Sequence, residues 1–307
     1  MTFVEDELRR TADELFAGRP GPLTLNDLVD LGWDELVADE PSVAVGTLAE
    51  AQGRHRGRSR IIELEMCRRL DLDPTAVALG LPWRGDALQT AQIDVVLLAD
   101  AAAVADVVVP VAGHDGVTLC PVPTAVCQPI YGIDAEVGWT RLQAVVDPGE
   151  GAPVTAQRWD LAVAAGRLAL AHELIGVGQA MLALAMRHVT DRTQFGVPLG
   201  TFQSVQHRLA DVHVDLEAAR AIARTAWVDG DPDVGAAAHL SALRAVETST
   251  RHCHQVMGAI GCTWEHDMHR YMRRGVVLGM LLTERDATWS ALVRAAGSAR
   301  RTELFGS

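Results

Sequence analysis

Residues 191–211 read DRTQFGVPLGTFQSVQHRLAD and lie between two long stretches with helical periodicity. The segment therefore predicts a connection between helices, with Arg192 just before a glycine turn and glutamines at the start of the next helix. A guanidinium at this point can neutralise a phosphate, and the helix N-terminus near Thr201 adds a partial positive charge. An arginine that caps a helix C-terminus beside an ordinary turn would produce the same local pattern.

The chain on both sides of this connection is predicted to form a helical bundle. Residues 159–189 form one amphipathic stretch, which would be about 45 Å long as a helix. Three further stretches with a helical repeat cover residues 201–229, 233–261 and 276–298. Four helices of this length can bury their apolar faces against one another.

The first 150 residues show a different pattern of predicted secondary structure. Residues 1–90 read as short helices, in which Asn26-Asp27, after Leu23-Thr24, offers a helix N-cap and Gly32 a helix stop. Short runs rich in β-branched residues follow at 93–98, 107–111, 117–122 and 139–146, with a hairpin turn at 114–116. We therefore predict a mainly α protein with a small β domain: an N-terminal helical domain (1–90), a middle β domain (91–150) and a C-terminal four-helix bundle (151–307).

Bulk properties exclude several classes of function. The formal net charge of -13 argues against a general nucleic-acid binder. The N-terminus turns acidic where a signal peptide needs an apolar core, and charged or polar side chains interrupt the most apolar stretch, 161–186. We therefore expect no membrane span. Five scattered cysteines in such a chain indicate reduced thiols and a cytoplasmic protein.

Motifs for other cofactors are missing. His252 and His254 would point to different faces of a helix, and no Cys-x-x-Cys pair accompanies them, so we expect no metal site. The sequence contains neither G-x-G-x-x-G nor a Walker loop, which excludes Rossmann-type and P-loop nucleotide sites.

A second motif, QVMGAIG at residues 255–261, carries small side chains of the kind that let a backbone approach a ligand closely. Together with the segment 192–211, it resembles the acyl-CoA dehydrogenase family, in which R-x-x-F-G-x-P-L leads into F-Q-x-V-Q-H and a Q-x-x-G-G-x-G segment follows. The resemblance spans nearly the whole chain and is most specific over 176–274. It implies an acyl-CoA dehydrogenase-like fold whose middle domain is β-barrel-like and is reduced in size here.

The resemblance also implies FAD as the cofactor. In the family, the arginine and the Q-F-G residues of the first motif touch the flavin dinucleotide of a neighbouring subunit, and the second motif lies along its adenosine diphosphate part. The matching positions in this chain are Arg192, Gln194, Phe195, Gly196, Gln255, Gly258, Ala259 and Gly261. Ala259 replaces one of the family's glycines.

The family's catalytic base does not match any acidic residue here. That base is a glutamate at one of two alternative positions, which fall on Leu282 and on Gly166, just before Arg167. Neither side chain can accept a proton. Glu173 or Glu284 could serve only as a relocated base, as could Asp160, and each would require a local shift of the alignment. The segment 265–267 is interpreted as a polar helix start with capping roles.

The middle domain is depleted as well, because no segment resembling the family's T-E-P-x-x-G-S-D occurs between Asp73 and Ala105. The chain thus retains the part of the flavin site that reaches a neighbour and lacks the part that holds its own flavin. The resemblance therefore implies the base-less, shorter subunit of an α2β2 acyl-CoA dehydrogenase with a larger catalytic partner. Its substrate would be an acyl-CoA, such as a steroid side-chain thioester.

Two alternatives remain at this stage. One is a self-sufficient homo-oligomeric dehydrogenase with Glu173 or Glu284 as its base. The other is a degenerate module that only binds a partner or an acyl group.

Overall fold

The computed structural model describes residues 3–98, 106–122, 126–286, 288–290 and 292–293. Five helices open the chain: α1 (Phe3–Phe16), α2 (Leu25–Asp30), α3 (Trp33–Asp39), α4 (Pro41–His55) and α5 (Ile61–Leu70). The N-cap of α2 is Thr24, two residues before the predicted Asn26-Asp27, because the Thr24 hydroxyl accepts from the Asp27 backbone N–H while the Asp27 carboxylate accepts from the Thr24 N–H at 2.7 Å. Gly32, with a φ of 72°, ends α2 and starts α3 as predicted.

After these helices, the described residues contain seven strands in two sheets. They are β1 (Val77–Leu79), β2 (Gln92–Leu97), β3 (Asp106–Ala112), β4 (Gly116–Pro121), β5 (Val126–Pro129), β6 (Thr140–Val145) and β7 (Ala152–Thr155). One sheet has the order β1-β3-β4-β7 and the other the order β2-β6-β5. The four predicted strands and the hairpin between β3 and β4 are confirmed.

Three strands were not predicted, because β1, β5 and β7 contain only three or four residues and show no clear alternation. β1 lies before residue 91 and β7 lies after residue 150, so the first sheet includes strands from outside the predicted middle segment. The three-domain division itself stays a prediction.

The C-terminal part contains α6 (Ala156–Asp191), a two-stranded hairpin of β8 (Thr193–Gln194) and β9 (Val197–Pro198), α7 (Gln203–Asp229), α8 (Pro232–Met257) and α9 (Met268–Leu278). α6 is the central helix and packs against α4, α5, α7, α8 and α9. Its length and composition would suit a membrane span, but 78% of its most apolar window is buried inside the protein. α6 is therefore the core helix of the fold.

The prediction of a helix over 276–298 is wrong in part. α9 begins earlier, at Met268, and ends at Leu278. The chain then turns through 279–284, where the Arg167 Nε donates to the Leu282 carbonyl at 2.9 Å and the Thr283 N–H donates to the Trp83 carbonyl at 3.3 Å. These bonds to other elements replace the next helical turn. Residues 285–286, 288–290 and 292–293 are helical, as predicted, and residues 294–298 lie outside the described residues.

Glycines permit the crossing of α4 and α6. A Cβ at Gly53 would collide with the Glu173 carbonyl, and a Cβ at Gly176 would collide with the Glu50 carbonyl. The two backbones are therefore in direct contact, and no side chain larger than hydrogen fits at either position.

One buried guanidinium joins all three parts of the chain. Arg274, in α9, is completely buried. It donates to the Asp134 carboxylate at 2.6 Å and to the Gly57 carbonyl at 3.0 Å, and it lies 3.5 Å from the Glu173 carboxylate of α6. Gln52, in α4, donates to the same Glu173 carboxylate at 2.8 Å. This Arg274 network thus ties the N-terminal helices, the segment that follows β5 and the bundle together.

Replacing Arg274 with methionine should strongly destabilise the fold, because Asp134 and Glu173 would stay buried without a cation. We expect a loss of about 3–5 kcal/mol in the free energy of unfolding, measured by urea denaturation. Arg270→Met is the matched control: Arg270 pairs with Glu136 at the surface, and a loss of at most about 1 kcal/mol is expected. Equal losses of unfolding free energy in the two variants would show that the buried network contributes no more to stability than the surface ion pair.

Stability should also depend on the protonation of Glu173. Burial raises the pKa of Glu173 to about 7 against the counteracting effects of Arg274 and Gln52, whereas its ordinary value is 4.5. The folded protein therefore keeps this proton at pH values where the unfolded chain has released it, and this contribution to stability is lost as the pH rises through 7.

Glu173→Gln cannot ionise and retains an acceptor for Gln52. Its stability relative to the wild type should therefore increase from pH 5 to pH 8, by on the order of 1–3 kcal/mol. Urea midpoints across this pH range measure the effect, and the exposed Glu14→Gln serves as the control. A difference between Glu173→Gln and wild type that does not change with pH would contradict this expectation.

Candidate functional site

The predicted interhelical connection is a protruding hairpin. Phe195 and Gly196 form the two-residue tip between β8 and β9, with φ values of 54° and 80°. Positive φ at both positions is what a tight hairpin turn with the right-handed strand twist requires. Phe195 is 91% exposed, and its ring makes a T-shaped contact with Phe202, with ring centroids 6.2 Å apart. The hairpin thus presents an aromatic side chain away from its own chain.

The second predicted segment begins where α8 ends. Gly258 has φ 61° and ψ -141°, a conformation that side chains larger than hydrogen avoid. Nothing lies within 4 Å of the position that its Cβ would occupy. The backbone is therefore open to a ligand at this point, as the small-residue motif predicts.

The two segments line one groove with a volume of about 800 Å³. Five of the eight predicted cofactor residues lie on its wall: Arg192, Gln194, Gln255, Gly258 and Ala259. Phe195 and Gly196 stand at the hairpin tip instead. Gly261 packs against His254 and Met257. Segments about 60 residues apart in the sequence are thus brought together, as the resemblance implied.

The groove contains two arginines and two histidines, although the chain as a whole is acidic. Arg187, His188 and His266 join Arg192 on its wall, and Asp191 is the acidic residue among them. Within the described residues, neither Arg187 nor Arg192 makes a side-chain hydrogen bond or a salt bridge. Both guanidiniums are therefore available to an anionic ligand.

The two histidines have distinct environments. Burial lowers the pKa of His188, and the nearby His266 and Arg192 lower it further. His266 Nδ1 accepts from the Met268 N–H at 3.1 Å, which supports the interpretation of 265–267 as a polar helix start. Arg187, His188 and His266 were not predicted as site residues. Arg187 and His188 precede Arg192 by about one helical turn, and this spacing could have indicated that they lie near it.

Positions 166 and 282, onto which the resemblance places the family's base, lie against each other and are tightly packed. A Cβ at Gly166 would lie 2.8 Å from the Met66 sulfur and 2.9 Å from a Leu282 methyl carbon. Leu282 is completely buried and adopts a φ of 55°, which is unusual for leucine. Apolar side chains therefore occupy the space in which a carboxylate would have to stand.

The relocated-base candidates lie elsewhere. Glu173 belongs to the Arg274 network, and its carboxylate is bound by Gln52 and Arg274 with 1% of the residue exposed. It is therefore not accessible to a substrate. Glu284 is half-exposed and lies 3.2 Å from Arg84. It lines a pocket of about 490 Å³ that also contains Asp160 and Arg167, and burial raises the pKa of Asp160.

Among the described residues, no group of three or more histidine, cysteine, aspartate or glutamate side chains is placed to hold a metal ion.

Comparison with known proteins agrees with this architecture. Residues 156–281 match the family described as acyl-CoA dehydrogenase, C-terminal domain. Acyl-CoA dehydrogenase IpdE2 of Mycobacterium tuberculosis is 42% identical over 105 residues, which cover 34% of this chain and 33% of that protein. IpdE2 of Mycolicibacterium smegmatis is 34% identical over 160 residues, covering 52% of this chain and 50% of that protein. The matches thus span a third to a half of these relatives.

Solved structures match over more of the chain. The Tcur3481-Tcur3483 steroid ACAD G363A variant gives a TM-score of 0.72 at 21% identity, covering 96% of this chain and 99% of that chain. The ChsE4-ChsE5 complex from Mycobacterium tuberculosis gives a TM-score of 0.68 at 16% identity, covering 99% and 97%. Residues 156–281 therefore match the acyl-CoA dehydrogenase C-terminal domain in sequence, and the fold of nearly the whole chain is that of solved acyl-CoA dehydrogenase structures.

Proposed function

We propose that this chain is the base-less subunit of a heteromeric, flavin-dependent acyl-CoA dehydrogenase. A larger catalytic partner supplies the carboxylate that removes the α-proton of an acyl-CoA. The FAD supplies the acceptor for the hydride that leaves the β-carbon. This chain completes the binding site of that cofactor, and the complex is an α2β2 heterotetramer in the cytoplasm.

The contact between Gly166 and Leu282 is the observation that carries this proposal. Catalysis needs a carboxylate within hydrogen-bond reach of the substrate's α-carbon. Met66 and Leu282 instead fill the space at Gly166 with sulfur and methyl groups. A glutamate at 166 would have to displace both side chains, so a base supplied by another chain is the simpler arrangement.

The groove supports the second half of the proposal. Its unpaired arginines suit the phosphates of a dinucleotide, and the open backbone at Gly258 suits close approach by its adenosine diphosphate part. Gln194 and Gln255 add amide groups to the same wall. The hairpin tip with Phe195 extends beyond this wall, in a position to reach a flavin that a neighbouring subunit holds.

The relatives support the substrate class and the partner. One structure of the same fold is described as a steroid ACAD, and another is a complex of two differently named chains, ChsE4 and ChsE5. We infer by analogy that the acyl group is bulky, such as a steroid side chain, and that the partner is a second chain of the same fold.

A self-sufficient enzyme is the second candidate, and one observation favours it. Glu284 and Asp160 share a pocket with Arg167, next to the position of the missing base. A turn of the segment 279–284 would bring Glu284 toward that position. The ion pair with Arg84 and the burial of Leu282 oppose such a movement. A module without enzymatic function would have no use for the unpaired arginines and the open glycine of the groove.

Arg192→Gln should weaken flavin binding by the complex about 10–100-fold, because a charge-assisted hydrogen bond to a phosphate is lost. Flavin absorbance of the chain co-purified with its catalytic partner, followed by equilibrium dialysis, measures the affinity. Arg10→Gln is the control, since Arg10 is an exposed arginine on α1. Unchanged retention of flavin in Arg192→Gln would refute a role of the groove in cofactor binding.

Glu284→Gln and Asp160→Asn should each leave the turnover of the complex within about twofold of wild type, because the proposal places the base in the partner. Loss of a true general base costs roughly 100–10,000-fold. Reduction of the flavin by an acyl-CoA, followed by absorbance under anaerobic conditions, gives the rate. A loss of that size in Glu284→Gln would instead establish the self-sufficient enzyme.

A further inference from the structure

His188 lies in the groove, although neither of the two sequence motifs includes it. It belongs to the last turn of α6, four residues before Arg192, and both side chains line the groove wall. The His188 side chain is half-buried and, among the described residues, makes neither a hydrogen bond nor a salt bridge. Its ring nitrogens are therefore available to a ligand that binds beside Arg192.

The surroundings of His188 disfavour its protonation until an anion is bound. The charged or titratable side chains on the groove wall are Arg187, His188, Asp191, Arg192 and His266. Burial lowers the pKa of His188, and His266 and Arg192 lower it further, whereas Asp191 raises it. A phosphate in the groove would offset the repulsion from Arg192 and accept a hydrogen bond from the imidazolium. The C-terminal dipole of α6 favours the same charged form. Binding of an anion and protonation of His188 thus favour each other.

His266 differs from His188 because one of its ring nitrogens already has a partner. Its Nδ1 accepts from the Met268 N–H at 3.1 Å, so the neutral ring carries its proton on Nε2. A second proton, added at Nδ1, would break this bond at the start of α9. His266 can therefore donate to an anion as a neutral ring. His188 is the histidine of the groove that can gain a proton without losing a hydrogen bond.

We propose that His188 binds a phosphate of the flavin dinucleotide as an imidazolium, beside Arg192, and that a proton from solvent is taken up at His188 when the cofactor binds. The same proton is released when the cofactor leaves, and no bond of the cofactor changes. This inference rests on the proposed function, because it names a further residue of the same cofactor site. It implies that FAD binds most tightly at low pH. The affinity then falls as the pH rises from the pKa of His188 in the unliganded complex to its higher pKa in the liganded one.

Titration calorimetry counts this proton. The complex of the chain with its catalytic partner, stripped of flavin, is titrated with FAD at pH 7 in buffers of different ionisation enthalpy. The slope of the observed binding enthalpy against the ionisation enthalpy of the buffer gives the number of protons taken up. We expect about half a proton more for the wild type than for His188→Gln, because glutamine does not titrate. His114→Gln, at the exposed turn between β3 and β4, is the control and should match the wild type. Equal proton numbers for the wild type and His188→Gln would overturn the proposal.

The pH profile of FAD affinity distinguishes an ionic role of His188 from a structural one. The ratio of the wild-type affinity to that of His188→Gln should fall about tenfold between pH 6 and pH 8, because the imidazolium–phosphate contact is lost as the pH rises. A merely structural role would lower the affinity equally at every pH, and a constant ratio would therefore contradict the proposal.

Arg192→Gln separates this inference from the proposed function. If Arg192→Gln weakens FAD binding while the ratio for His188→Gln stays constant with pH, the groove binds the cofactor and only the role of His188 is wrong. If neither variant changes the affinity for FAD at any pH, both the cofactor role of the groove and the role of His188 are wrong.

Discussion

The fold depends on one buried arginine. Arg274 extends from α9 to three other elements. The α4–α5 connection, the segment after β5 and helix α6 each contribute an oxygen that it contacts. Two carboxylates and one guanidinium share the site, with Gln52 supplying a further hydrogen bond. A buried guanidinium that lacks some of its hydrogen-bond partners destabilises the fold. The elements that carry these partners must therefore assemble around Arg274 together. The glycine contacts between α4 and α6 then bring the helices close enough to exclude water from the network.

This network has a consequence for function. It holds Glu173 as a structural group, because the carboxylate is enclosed between α4 and α9 and has no path to a substrate. A buried glutamate on the central helix with a pKa of about 7 resembles a catalytic base. Burial in the packed core explains this pKa. A raised pKa is evidence of burial. It is evidence of a catalytic role only when the group also lies in a cleft that a substrate can enter.

The two ends of the bundle have opposite character. Near Gly166 and Leu282 the protein is packed with apolar groups, and the place of the base is closed. Around Gly258 and Arg192 the surface is open and cationic, and the hairpin extends outward. This contrast between a closed and an open end is the basis of the proposal that the chain contributes one part of a shared flavin site.

Much of this could be predicted from residues that act locally. The strands with clear β-branched runs and the long helices depend on nearby sequence, and the structure confirms them. The cofactor roles of the motifs at 192–196 and 255–261 stay predictions. The short strands β1, β5 and β7 and the end of α9 at Leu278 were not predictable, because pairing with distant segments decides them. The lack of a glutamate at either family position was predicted from the sequence and stays a prediction. Only the tertiary structure decided that Leu282 and Met66 fill its place, that Glu173 is bound by Arg274, and that Arg187, His188 and His266 join the groove. Each of these is a contact between residues far apart in the chain, and the packing of the whole protein determines such contacts.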